Sequence, residues 1–114
     1  MVKPWRLTRS AEASLVDIAR WTIETFGPRQ AAVYEDNLIG ACKAIAAGGA
    51  QSQICSQAMD PDLPETLRLT RSGQHFGVYG ELDEVIGIVD FLHARSDLPR
   101  RIAENMKSLG DPEH

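Results

Sequence analysis

Cysteine is scarce in this chain: Cys42 and Cys55 are the only two among 114 residues, twelve residues lie between them and no CxxC pair occurs. Neither a disulfide framework nor a cysteine-based zinc site has the material to form, and a reducing cytoplasm is the expected compartment. Long apolar runs are also missing. No stretch approaches the roughly 20 residues that a membrane-crossing helix needs, and the opening Met1-Val2-Lys3-Pro4-Trp5-Arg6 lacks the apolar centre of a secretory signal, so a chain neither exported nor embedded is expected. Basic charge is in deficit: sixteen Asp and Glu against twelve Lys and Arg give a formal charge of -4, and no lysine stands between Lys43 and Lys107. This balance argues against a protein that holds nucleic acid mainly by neutralising phosphates, while leaving room for a local basic patch.

Recognisable catalytic motifs are absent as well. There is no GxSxG, no HExxH and no Walker loop, and the glycines at 48, 49, 73, 77, 80 and 87 are scattered without a helix start behind them to cradle phosphate. His75, His93 and His114 are not at ligand spacing, so no metal and no cofactor is expected.

What is present is an ordinary globular balance, 43% apolar and 25% charged, in a chain long enough to bury roughly two-thirds of its unfolded surface. A single domain over residues 1–114 is expected, with 98–114 as a variable C-terminal helix and tail. Trp5 and Leu7 alternate with Arg6 and Thr8, the period of a half-buried strand, and Pro4 makes that strand start at Trp5 or lie at a sheet edge. Ser10 then offers an N-cap, and Ala11, Leu15, Ile18, Thr22 and Phe26 recur at helical steps. Gly27 stops that helix. Pro28 suits the first position of a second one running to about Ala47, whose stripe is Ala31, Tyr34 or Glu35, Leu38, Cys42, Ile45 and Ala46. So short a connection implies an antiparallel helical hairpin. Cys42 on the stripe reads as a small buried apolar residue.

Residues 48–65 form a long irregular connection in which Ile54, Cys55 and Met59 suggest a helical turn capping the core. Residues 66–71 alternate, with Leu67 and Leu69 on one face and Arg68, Thr70 and Arg71 on the exposed side. Ser72-Gly73 makes a hairpin turn, and 74–81 place Phe76 and Val78 opposite His75, Gly77 and Tyr79. After the acidic turn Leu82-Asp83-Glu84, the nearly all-apolar run from Val85 to His93 reads as a strand covered on both faces, at the centre of the sheet. Asp97 can cap a last helix with Pro99 in its first turn and a narrow stripe of Ile102, Met106 and Leu109, which gains little from burial and is expected to detach readily. The order describes an α+β fold: an N-terminal strand, an α-helical hairpin, a three-stranded antiparallel meander and a short C-terminal helix.

This order, together with particular residues, resembles the RelE/ParE superfamily of type II toxin–antitoxin toxins, and within it the ParE (plasmid-stabilisation) type. The resemblance spans about residues 3–98. It is carried by Leu7-Thr8, by Ala11 through Leu15-Val16-Asp17-Ile18 to Trp21, by Ala32-x-Tyr34 and Leu38, and by Leu67-Arg68. Gly77-Val78-Tyr79 and Ile86-x-Ile88-Val89 leading to His93-Ala94-Arg95-Ser96-Asp97 complete it. It implies a cytoplasmic toxin that forms a hetero-oligomer with a cognate protein antitoxin, whose tail would cross the groove between helical hairpin and sheet at Leu15, Ile18, Trp21, Tyr34 and Leu38.

The superfamily divides between inhibitors of DNA gyrase, acting on its A subunit, and ribosome-dependent messenger-RNA nucleases. Metal-free RNA cleavage needs a base, an acid and cations gathered at one phosphate. The residues available for that are His93, Arg95, Tyr79 and Arg68, without a lysine and on an acidic chain. Gyrase inhibition by binding is therefore the expected activity, through the cationic group Arg68, Arg71, His93, Arg95, Arg100 and Arg101. A nuclease, or a relative that keeps only antitoxin binding, is the alternative. As a plain structural residue, His93 would be held by a backbone group or by Asp90 or Asp97, and Arg95 with Asp97 would be a local turn pair.

Overall fold

The computed structural model describes residues 3–82 and 84–109; Asp83, the side chain of Leu109 and His114, which the sequence places in the acidic turn, the last stripe and the tail, lie outside the described residues. Along the chain run β1 (Trp5–Leu7), α1 (Arg9–Phe26), α2 (Pro28–Ala46), β2 (Gln53–Ile54), α3 (Cys55–Ala58), β3 (Arg68–Ser72), β4 (His75–Leu82), β5 (Val85–His93) and α4 (Leu98–Leu109). The strands form one sheet in the order β1-β5-β4-β3-β2. β3, β4 and β5 are the expected antiparallel meander, and β1 begins at Trp5 on an edge, as Pro4 requires. It pairs parallel to β5, which the intervening helices and strands make possible by supplying a long connection.

The start of α1 corrects the expected cap. Thr8, and not Ser10, is the N-cap: its hydroxyl accepts from the Ala11 N–H at 3.1 Å. Ser10 is already inside the helix because Thr8 ends β1, where its own N–H donates to the Ile88 carbonyl and its hydroxyl donates to the Val89 carbonyl at 2.5 Å. One residue thus closes the strand and opens the helix. Gly27, with φ +90, joins α1 to α2 in a backbone conformation that favours glycine, and Pro28 takes the first position of α2.

β5 carries one extra residue. Tyr79 pairs with Ile88 but Val78 pairs with Asp90, which leaves Val89 as a bulge. Ile86, Ile88 and Phe91 therefore share the face that packs on the hairpin, together with Ala11, Ile18, Leu38, Cys42, Ile45 and Tyr79. Val89 and Leu92 face the other way, into a second cluster with Cys55, Leu63, Leu67, Leu69, Val78 and Ile102. The backbone left over at the bulge is satisfied: Thr8 takes two carbonyls, and the Asp90 carboxylate accepts from the Phe91 N–H at 2.8 Å. Asp90 is buried, but Ser14 of α1 and Asn105 of α4 donate to it at 2.5 and 2.7 Å, so its charge does not sit unpartnered in the interior.

The second cluster corrects two further expectations. α4 does not lie loosely: Ile102 is 0% exposed, and Leu98 and Met106 pack beside it. Its stripe is narrow, but it lands on a sheet face that the meander alone leaves bare. The 48–65 connection contains the expected helical turn, α3, with Cys55 fully buried, and also a two-residue strand, β2, that covers part of the β3 edge. Thr70, expected on the exposed side, is buried and donates to the Gln51 carbonyl at 2.7 Å. Phe26, read as the end of the buried stripe of α1, is 55% exposed. Replacing Ile102 with alanine is expected to lower unfolding free energy by about 2–5 kcal/mol, measured by urea titration; a loss under 1 kcal/mol means that α4 is not part of the core.

Candidate functional site

Where the hairpin meets the open ends of β4 and β5, four rings gather around Trp21. Phe26, Tyr34, His75 and His93 present themselves nearly perpendicular to it at centroid distances of 5.8, 6.4, 5.8 and 6.0 Å, and the two imidazoles lie 5.1 Å apart. Such edge-to-face contacts suit rings with electron-rich faces and electropositive rims. Three separate elements build the group: α1 supplies Trp21 and Phe26, α2 supplies Tyr34, and the β4–β5 pairing sets His75 directly opposite His93.

The Tyr34 hydroxyl fixes the geometry. It accepts from the Gln74 N–H at 3.0 Å and stands 2.5 Å from His75 Nδ1, with the Ser72 carbonyl at 3.5 Å. Its single proton goes to the nearer acceptor, Nδ1, which puts the proton of the neutral His75 ring on Nε2. His93 arrives at the same tautomer by another route, since its Nδ1 accepts from the Arg95 N–H at 3.1 Å. Gly73 completes the fit. Its φ is +61, and a Cβ there would stand 3.0 Å from the Tyr34 ring and hydroxyl.

His75 is only 4% exposed. Burial, with the neighbouring His93 as a second cause, lowers its pKa from the usual 6.5 to about 4, so the ring is neutral at pH 7. Burial also raises both thiols, Cys42 and Cys55, to about 11, which makes neither a nucleophile at neutral pH.

Trp21 is the shared wall of two clefts. One, of about 500 Å³, runs past Thr22, Phe26, Tyr34 and Gln74. The other, of about 230 Å³, is bounded by Asp17, His75, Phe91, His93 and Arg101. Together they follow one side of α1 for most of its length. A third hollow, of about 650 Å³, lies at the outer edge of β3 between Gln51–Gln53 and Arg71, away from the rings.

Of the residues expected to line a groove, Trp21 and Tyr34 do so, and Leu15 is half-buried against the hairpin core. Ile18 and Leu38 are both buried; Ile18 lines the small cleft, and Leu38 lies within the core. The residues named for cleavage are not brought together. Tyr79 is buried in the first cluster opposite Arg68, while His93 pairs with His75, four residues away along β4 and therefore about 13 Å distant.

The cations are divided too. Arg68 and Arg71 point to opposite faces of β3. Arg68 donates to Ser52, whereas Arg71 donates to the Gly73 carbonyl and sets its guanidinium 5.5 Å from the centre of the Phe76 ring. Arg95, Arg100 and Arg101 sit near His93 at the β5–α4 junction, where Arg100 pairs with Glu104 at 3.7 Å. His93 is held by a backbone N–H and not by Asp90 or Asp97; Asp90 is committed to Ser14 and Asn105, and no Arg95–Asp97 ion pair occurs among the described residues. Gly73 and Phe26 carry no site signal in the sequence, and His75, one of the polar side chains the sheet offers, is not paired there with His93. The histidines become partners only once the β4–β5 register is known.

Because His75 is protonated below about 6.5 when unfolded but only below about 4 when folded, the unfolded chain binds the extra proton in between. Stability is expected to be complete above pH 6.5 and to fall between pH 6.5 and 4, by up to about tenfold in the folding equilibrium per pH unit. His75→Asn, which keeps an acceptor for Tyr34, should flatten that slope in urea titrations across the range. An unchanged slope would assign the effect to other groups.

With the geometry in place, comparison with known proteins gives a consistent answer. A search of curated proteins found no match. Among solved structures, the chain is similar to one from the "Chromosomal ParDE TA system from P. aeruginosa", with a TM-score of 0.62 and 17% identity over 81% of this chain and 96% of that one, a likeness of fold. Residues 5–98 match the family model described as the ParE toxin of the type II toxin–antitoxin system parDE. The match covers every strand and both hairpin helices, and the chain belongs to the ParE toxin family.

Proposed function

We propose that this protein is a cytoplasmic toxin that acts by binding, with the A subunit of DNA gyrase as its target and a cognate antitoxin as its neutraliser. One observation carries the binding reading: the surface offers a long ring-walled groove with Phe26 exposed at one end, whereas Tyr79, Arg68, His93 and Arg95 are too dispersed to act on one phosphate. The buried, neutral His75 beside His93 also fits a recognition surface better than a general base that must exchange protons with water.

Membership of the toxin family, and a structural neighbour described as a ParDE toxin–antitoxin system, support the antitoxin as partner. Its tail, disordered alone, would bury apolar residues against Trp21, Tyr34 and Phe26 and form a hetero-oligomer. The gyrase reading rests on family kinship and on the scattered cleavage residues. The Arg95, Arg100 and Arg101 group at the β5–α4 junction, with His93, is the contact surface we assign to the target; Arg68 and Arg71 are a second, separate region.

Expression in cells is expected to cause filamentation with a DNA-damage response. Rapid loss of translation with cleaved messages would instead assign the protein to the ribonucleases, and no growth defect would leave antitoxin binding alone. Phe26→Ser, which removes one edge-to-face contact with Trp21 at a half-exposed position, should lower the unfolding free energy by only about 1 kcal/mol while weakening antitoxin binding about tenfold or more, measured by urea titration and calorimetry. Equal affinity would remove the groove from the interface.

A further inference from the structure

Three side chains that line the small cleft at the end of the groove, His75, His93 and Arg101, can offer it hydrogen-bond donors. His93 accepts the Arg95 N–H at Nδ1, and with the Tyr34 proton assigned to its nearer neighbour His75 Nδ1 accepts as well, an assignment that leaves the N–H of each ring at Nε2. Neither Nε2 has a protein partner among the described residues, and no buried side-chain nitrogen or oxygen there is left unpaired. Each Nε2–H therefore reaches solvent-accessible space, and the space that both rings line is this cleft. Arg101 lines it from α4 without an ion pair among the described residues. Ser14, also on the wall, is committed to Asp90, and the one carboxylate on the lining is Asp17, which is exposed.

We propose that this cleft is a carboxylate subsite, taking the side chain of a glutamate or aspartate from the polypeptide segment that occupies the adjoining groove. The identity of that segment as the antitoxin's rests on the function proposed above; the chemistry of the subsite does not. A carboxylate accepts several donors at once, and charge-assisted bonds from a guanidinium are among the strongest available. Two ring N–H groups and Arg101 supply those donors on one side of Trp21, and the apolar groove lies on the other. The occupant is thus an apolar stretch with an acid beside it. Asp17 at the rim sets the charge limit: it tolerates a monoanion held by Arg101 and disfavours a dianionic phosphate. The chain is acidic overall, with a formal charge of -4, so selection for an acidic partner is local to this cleft and does not come from the field of the whole molecule.

Long-range ¹⁵N–¹H spectra of the full chain at pH 7 read both rings directly. The expected result is an Nε2–H tautomer for His75 and His93, and a saturable shift of both Nε2 resonances on adding N-acetyl-L-glutamate N-methylamide. The glutamine analogue should bind at least tenfold more weakly, and Arg101→Gln, at an exposed position, should weaken the glutamate analogue threefold or more. An Nδ1–H tautomer in either ring, no saturable shift, or inorganic phosphate binding as tightly as the glutamate analogue would overturn the proposal, the last in favour of a nucleic-acid backbone.

Where a small open reading frame adjoins the gene, calorimetry with its product separates the two claims. If the glutamate analogue binds and that product does not, the subsite stands and the antitoxin reading falls. If the product binds wild type and Arg101→Gln equally while the analogue shifts neither ring, the subsite falls and the antitoxin reading stands.

Discussion

The additional residue in β5 is the constraint on which the site depends. Side chains alternate strictly along an unbroken strand, so if Val89 were paired in regular register and not bulged, the residues after Ile88 would exchange faces. His93 would turn towards α4, Leu92 would turn towards the hairpin, and His93 would stand opposite Gln74 instead of His75. The bulge corrects both the face and the register at once. It also creates backbone groups that need partners in a buried place. Thr8 and the Asp90 carboxylate provide them, and the same two residues tie in the start of α1 and the middle of α4. The irregularity that positions the histidines is thereby fastened to every layer of the fold.

From that fixed point the ring-lined surface is held in place by its own bonds, since its polar atoms are mostly spoken for from behind. Tyr34 is held by the Gln74 N–H and holds His75, while the Arg95 N–H holds His93. The imidazole atoms left over face outward. A surface whose donors are already oriented loses little entropy on meeting a partner, which is what the binding role proposed above requires. A neutral His75 also avoids placing two cations 5.1 Å apart in a poorly solvated place.

Much of the architecture was legible in the sequence, because periodicity reports which face is buried. The helical hairpin, the meander and the edge position of β1 were expected from spacing, with Gly27, Pro28 and Pro4 as punctuation. Periodicity was silent in the run from Val85 to His93, since an all-apolar strand looks the same with or without a bulge, and the face of His93 could not be read. Thr8 was overlooked as a cap because Ser10 offers the same chemistry two residues later; only pairing with β5 decides between them. α4 was undervalued because a narrow stripe reveals how much surface it can bury but not how bare the facing surface is. The resemblance to the toxin family named Trp21 and Tyr34 for the groove, yet the partnership of His75 with His93 is a property of register and is written in no local motif.

Gly73 answers to two unrelated demands, a left-handed backbone and clearance for the Tyr34 ring. The demands are separable in principle, and their separation sets the order in which substitutions are tolerable during divergence. A change at Gly73 while Tyr34 remains meets both obstacles together. Once position 34 shrinks, the steric obstacle vanishes and only the backbone preference persists, which asparagine tolerates better than other residues with a side chain. The two positions are thus expected to drift as a linked pair, with the helix changing first and the turn following.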